Sequence, residues 1–193
     1  MKIKTIYIAL AAMLTGLTTV LKIFRPVLST LPFVALSFAY IPCFFAGVLF
    51  SKGTFIVGEK YRITNFFIGI FLAFTVGFMG DLLGWILHPL GAYNPLIAVA
   101  TGLLAVIPCL IFRFMPFRWQ IKLVTSFVTI GVIVTAGLNT YADWWYFSSH
   151  SKTFWAYLFA RLPWQGLIVL INGVLCATMY IPVTKITAKY TEA

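Results

Sequence analysis

Residues 66–87 read FFIGIFLAFTVGFMGDLLGWIL, twenty-two residues that carry a single charge, Asp81. A run this long and apolar crosses the roughly 30 Å hydrocarbon core of a bilayer as one helix. Within it Gly69, Ala73, Gly77, Gly80 and Gly84 recur at steps of four, four, three and four, so they share one helical face. Outward from this run lie five further apolar stretches, at about 6–24, 31–50, 95–112, 121–141 and 155–182. The chain therefore reads as an all-α membrane protein of six transmembrane helices. With no linker, low-complexity stretch or internal repeat, residues 1–193 form a single integral-membrane domain.

Composition points the same way. The chain is 62% hydrophobic and 9% charged, with a mean hydropathy of +1.00. Soluble domains carry about 25% charged residues to cover their surface. An ordinary soluble protein, a disordered chain and a disulfide-stapled module are thereby excluded. Cys43, Cys109 and Cys176 stand alone in three different apolar runs, without disulfide or zinc-ligand spacing. No metal site and no cofactor are expected. The first run follows Lys2 and Lys4 as in a signal peptide, but no A-x-A site leads into a polar mature domain, so it is kept as a span.

Fourteen Lys and Arg face four Asp and Glu, a net charge of +10. In a soluble domain this would suggest nucleic acid, but here the cations sit in the gaps between apolar runs. Ten of them fall on one side: Lys2, Lys4, Lys52, Lys60, Arg62, Arg113, Arg118, Lys122, Lys185 and Lys189. Only Lys22, Arg25, Lys152 and Arg161 fall on the other. The positive-inside rule puts the ten, and both termini, in the cytoplasm of a multi-pass cell-membrane protein, and leaves nucleic acid a poor partner.

The four outer cations need another explanation, and other polar groups gather near them. The first span ends in Lys22-x-x-Arg25-Pro26. Asn94-Pro95 is a good N-cap and N1 pair for the fourth span, whose positive dipole end then faces outward. Asn139 closes the fifth span, and Arg161 and Gln165 lie one turn apart near the start of the sixth, where Pro163 implies a helix start or a kink. Such a set suits a flat polar ring with an anionic tail. The ring would stack on Trp or Tyr, with Trp164 and Tyr93 as candidates, and pair with Asn139 or Gln165. The tail would meet Arg161, Arg25 or Lys22. Plainer readings stand beside these: an aromatic belt at the interface, lysines snorkelling to headgroups, and Asp81 as a structural counter-ion for Arg25 or Arg161. The small-residue face of the third span reads first as internal packing. For Ala9, Ala12 and Gly16 on the first span, an external partner helix is an equal alternative.

One stretch carries a family resemblance: Asp81-Leu-Leu-Gly84-x-x-x-x-Pro89-x-Gly91-x-Tyr93-x-Pro95. It is similar to the junction of the third and fourth helices in the folate-type substrate-binding S components of energy-coupling factor (ECF) transporters. Gly137-Leu-Asn139-Thr140, Ala160-Arg161-Leu162 and the pattern Ser37-Phe38-x-x-Ile41-Pro42 extend the resemblance over nearly the whole chain. It implies a six-helix S-component bundle in a bacterial cell membrane that captures folate, or a related pterin, from outside without catalysis. It also implies partners: a transmembrane scaffold subunit, docking on Ala9, Ala12 and Gly16, and two ATPase subunits. Asp81, Gly84, Pro89, Gly91, Asn94 and Pro95 would be structural residues near the site. The chain departs from the family at Ile23, where a cation is common, and at Pro163-Trp164. Those departures admit a changed cargo, such as riboflavin, thiamine or pantothenate. A small membrane enzyme is the remaining alternative, disfavoured because Glu59, Asp81, Asp143 and Glu192 are the sole acids and no nucleophile motif is present.

Overall fold

The computed structural model describes residues 5–24, 37–53, 55, 62–89, 92–147 and 153–191. Among the described residues the chain is all helical. The elements are α1 (Thr5–Ile23), α2 (Tyr40–Ser51), α3 (Arg62–Leu87), α4 (Pro95–Phe114), α5 (Trp119–Thr129), a π-helical segment (Ile130–Asn139), α6 (Thr140–Phe147) and α7 (Phe154–Thr191). Five continuous helical stretches are long and apolar enough to cross a membrane: Thr5–Ile23, Ile63–Leu87, Pro95–Phe114, Trp119–Tyr146 and Phe154–Thr187. The chain is a multi-pass membrane protein by this criterion.

The second expected span is described only in its later part. There α2 has 12 residues, of which ten are buried, Phe44 and Phe50 among them. It sits inside the bundle against α1, α3, α4 and α7. That enclosure explains why its sequence is apolar all round rather than along one stripe. The helix α4 is the other central element, packed on α2, α3, α5 and the π-helical segment.

Two boundaries differ from the sequence reading. The fifth stretch does not end near Tyr141; it runs as α5, π and α6 to Phe147. The last stretch continues past residue 182 to Thr191, as α7, and Pro163 lies inside it. This proline is the tenth residue of the helix, past the first turn, so it removes the internal hydrogen bond to the carbonyl of Phe159.

The small-residue face of α3 packs internally. Gly69, Ala73, Gly77, Gly80 and Gly84 are all buried. At Gly77 a Cβ would meet the carbonyl of Thr101 and come within 2.9 Å of Gly102 Cα, so only glycine lets α3 and α4 approach this closely. The face of α1 carrying Ala9, Ala12 and Gly16 is instead exposed, and Gly16 has open space around it. The buried residues of α1 are Tyr7, Thr18 and Thr19, the last of which continues the Ala9, Ala12 and Gly16 series at the C-terminal end of the helix.

Candidate functional site

One cavity gathers the C-terminal parts of α1 and α3 with the N-terminal parts of α2, α4 and α7. It is lined by Thr18 and Lys22 from α1, Ser37, Ala39 and Tyr40 at the start of α2, and Asp81 from α3. Ile97, Thr101 and Leu104 from α4, Thr135 and Asn139 from the π-helical segment, Asp143 from α6, and Arg161, Gln165 and Ile168 from α7 complete it. The cavity has a volume of about 110 Å³, smaller than the roughly 300–1,000 Å³ of most small-molecule sites.

One wall is built on an ion pair between Lys22 and Asp81. The stem of Lys22 lies across Gly84, where a Cβ would sit 2.9 Å from Lys22 Cδ, and Nζ also donates to the main-chain carbonyl of Asp81 at 3.1 Å. The hydroxyl of Thr101 lies 3.1 Å from Asp81 Oδ1. Asp81 thus has a cation and a hydroxyl to offset the cost of burying its charge.

The facing wall is built on a second pair. Arg161 Nη1 donates to Asp143 Oδ2 and, at 3.0 Å, to the hydroxyl of Tyr157. The Arg161 guanidinium also stands 5.2 Å from the Tyr157 ring centre. Beneath this pair Gln165 Nε2 donates to Thr140 Oγ1 at 3.0 Å, and the Tyr40 and Thr135 hydroxyls are 3.0 Å apart. Thr140 Oγ1 donates back to the carbonyl of Thr135, five residues earlier, matching the wide π turn. Asn139 closes that turn, and its Oδ1 is buried without a hydrogen-bond partner in the structure.

The two pairs correct the expected partner of Asp81. Its cation is Lys22, and Arg161 pairs with Asp143 instead. The reason is packing: α1 lies on α3, and the Lys22 stem crosses Gly84, three residues beyond Asp81. Asp143 lies one turn beyond Asn139 because the fifth stretch stays helical, and this aims it at α7.

Of the expected ligand contacts, the structure gathers Lys22, Asn139, Arg161 and Gln165 around one cavity. Trp164 and Tyr93 are not among its lining. Trp164 faces outward at 42% exposure. Tyr93 packs on Trp85 with ring centres 5.1 Å apart, and its phenol is raised above its usual range by partial burial first and by the Asp81 charge second. Tyr141, Trp145, Trp155 and Phe159 are exposed too, as in an interfacial belt. Tyr40 is the aromatic residue on the cavity wall. Arg25 and Gly91 lie outside the described residues.

Asn94 caps α4 as its sequence suggests, accepting from Leu96 N–H at 3.0 Å with Pro95 at the first helical position. It also donates through Nδ2 to the carbonyl of Ala142 at 3.1 Å, tying α4 to α6 beside Asp143. Pro89 is exposed beyond the end of α3. The sequence reading missed Thr18, Thr101, Thr135, Tyr40 and the pairing role of Asp143. Thr18 stands four residues before Lys22, Thr135 four before Asn139, and Asp143 four after it, so helical spacing carried the signal for three of them.

Among known proteins, no family model and no curated protein matches the chain.

Proposed function

We propose that this chain is the membrane-embedded substrate-binding subunit of an ECF-type transporter. It captures folate or a related pterin vitamin from outside and delivers it with a scaffold subunit and two ATPase subunits. One observation carries the reading: Asp81 and Asp143, the two acids among the described residues, converge on one cavity with Lys22, Arg161, Asn139 and Gln165. Charged groups are costly inside a membrane protein and mark solute or ion pathways. The cavity opens at the end where α1 and α3 finish. In a six-span arrangement with both termini in the cytoplasm, that end faces outside, where the basic residues are few.

The resemblance of residues 81–95 to folate S components supplies the cargo. A related cargo on the same scaffold is favoured by one observation: Trp164 and Tyr93 stand away from the cavity, which leaves Tyr40 for ring stacking. The test is titration of the purified, detergent-solubilised chain, without ATP, by intrinsic Trp fluorescence. A saturable response to folic acid is expected. A response to riboflavin with none to any folate would transfer the reading to the related cargo.

A further inference from the structure

Resting on that transporter-subunit reading, a narrower statement follows about what the cavity accepts. Its described lining holds two cations, Lys22 and Arg161, and two acids, Asp81 and Asp143. Each cation is joined to one of the acids, one pair on each side. The walls are therefore strongly polar yet carry no net charge. A carboxylate or phosphate approaching Arg161 must displace Asp143 and leave that acid without its cation. It would gain one ion pair by breaking another, and would lose its own hydration in the exchange.

Asn139 also lines the cavity, and its Oδ1 is buried without a hydrogen-bond partner in the structure, behind the wall that the two ion pairs form.

We propose that the cavity selects an uncharged polar ring system and excludes anionic groups, so that any carboxylate or phosphate on the cargo remains outside the mouth. Asp143 is then a specificity-determining residue: it occupies Arg161 and keeps an anion from using it.

The experiment compares matched ligands that share a ring and differ in charge. The intact chain in detergent is titrated calorimetrically with 6-hydroxymethylpterin against pterin-6-carboxylate, and with riboflavin against riboflavin 5′-phosphate. In the pair that binds, the neutral member is expected to bind at least as tightly as the anionic one. Asp143→Asn adds one net positive charge to the walls and is expected to shift the preference toward the anionic member by about tenfold. Asp143 is partly exposed at the mouth, so this variant is expected to fold, and the wild-type comparison needs no variant. An anionic member preferred by tenfold or more in the wild type would overturn the inference, as would a preference unmoved by Asp143→Asn. Binding of the flavin pair alone, with the neutral member preferred, would sink the pterin reading while the charge rule survives. Binding of neither pair removes the cavity as the cargo site and the inference with it.

Discussion

Lys22 reaches across Gly84 to pair with Asp81, joining the end of α1 to α3 on the wall of the cavity. Its partner is buried, with a side chain only 4% exposed. Removing the cation would leave a buried carboxylate with the Thr101 hydroxyl and little else. Lys22→Met is therefore expected to cost about 3–5 kcal/mol of stability. The double variant Lys22→Met/Asp81→Asn is expected to recover much of that loss, since no charge is then orphaned. Unfolding in mixed micelles measures both; simple additivity of the two single changes would show that the pair is not coupled.

Asn94 performs two tasks with one amide, and two substitutions separate them. Asn94→Asp keeps the oxygen that caps α4 but loses the donor to the Ala142 carbonyl. Asn94→Ala loses both and is expected to cost about 1–2 kcal/mol for the cap alone. The aspartate variant should keep the stability of α4 yet weaken ligand binding, because α6 and Asp143 lose their tie to α4. Equal ligand affinity in Asn94→Asp and wild type would confine Asn94 to capping.

The close approach of α3 to α4 predicts a sharp difference between two glycines. A Cβ at Gly77 meets only main-chain atoms of Thr101 and Gly102, so neither helix can yield by turning a side chain. Gly77→Ala should cost about 1–3 kcal/mol, as overpacking does. It should also draw Thr101 away from Asp81. Gly16→Ala meets nothing and should shift stability by no more than about 1 kcal/mol, toward greater helix propensity. Paired thermal melts read the contrast directly.

The positions of these glycines show why part of the fold was legible in the sequence. Spacing at three and four residues fixed the packing face of α3 without knowledge of its neighbours, because helical geometry is local. The same rule placed Lys22, Asn139, Arg161 and Gln165 toward one end of the bundle. What remained hidden depends on contacts between distant segments. Asp81 faces Lys22 and not Arg161 because α1 packs on α3 with the Lys22 stem across Gly84. Asp143 reaches α7 because a π-helical segment carries the fifth stretch past Tyr141, and no sequence period announces a π turn. The aromatic residues misled for a different reason. Trp164 and Tyr93 have the right chemistry for stacking, but an interface and a binding wall call for the same residue types.

The exposed face of α1 leads to the last prediction. Ala9, Ala12 and Gly16 are uncovered in this structure, and Thr18 and Lys22 face the other way, into the bundle and its cavity. Small residues on a lipid-facing helix permit close backbone contact with another helix, which supplies attraction where the hydrophobic effect does not. In the transporter reading, a scaffold helix packs there. Replacing Ala12 and Gly16 with Leu fills that face without touching any residue of the cavity wall. Ligand affinity of the purified variant should therefore match wild type within about twofold, since surface substitutions of this kind shift free energies by no more than about 0.5 kcal/mol. Uptake into liposomes containing the ATPase and scaffold subunits should fall to background, and the complex should no longer co-purify. Because the cavity and the docking face lie on opposite sides of one helix, binding and transport are separable in a single variant. Undiminished uptake by that variant, or uptake by the wild-type chain in liposomes without its partners, would remove the docking role from this face of α1.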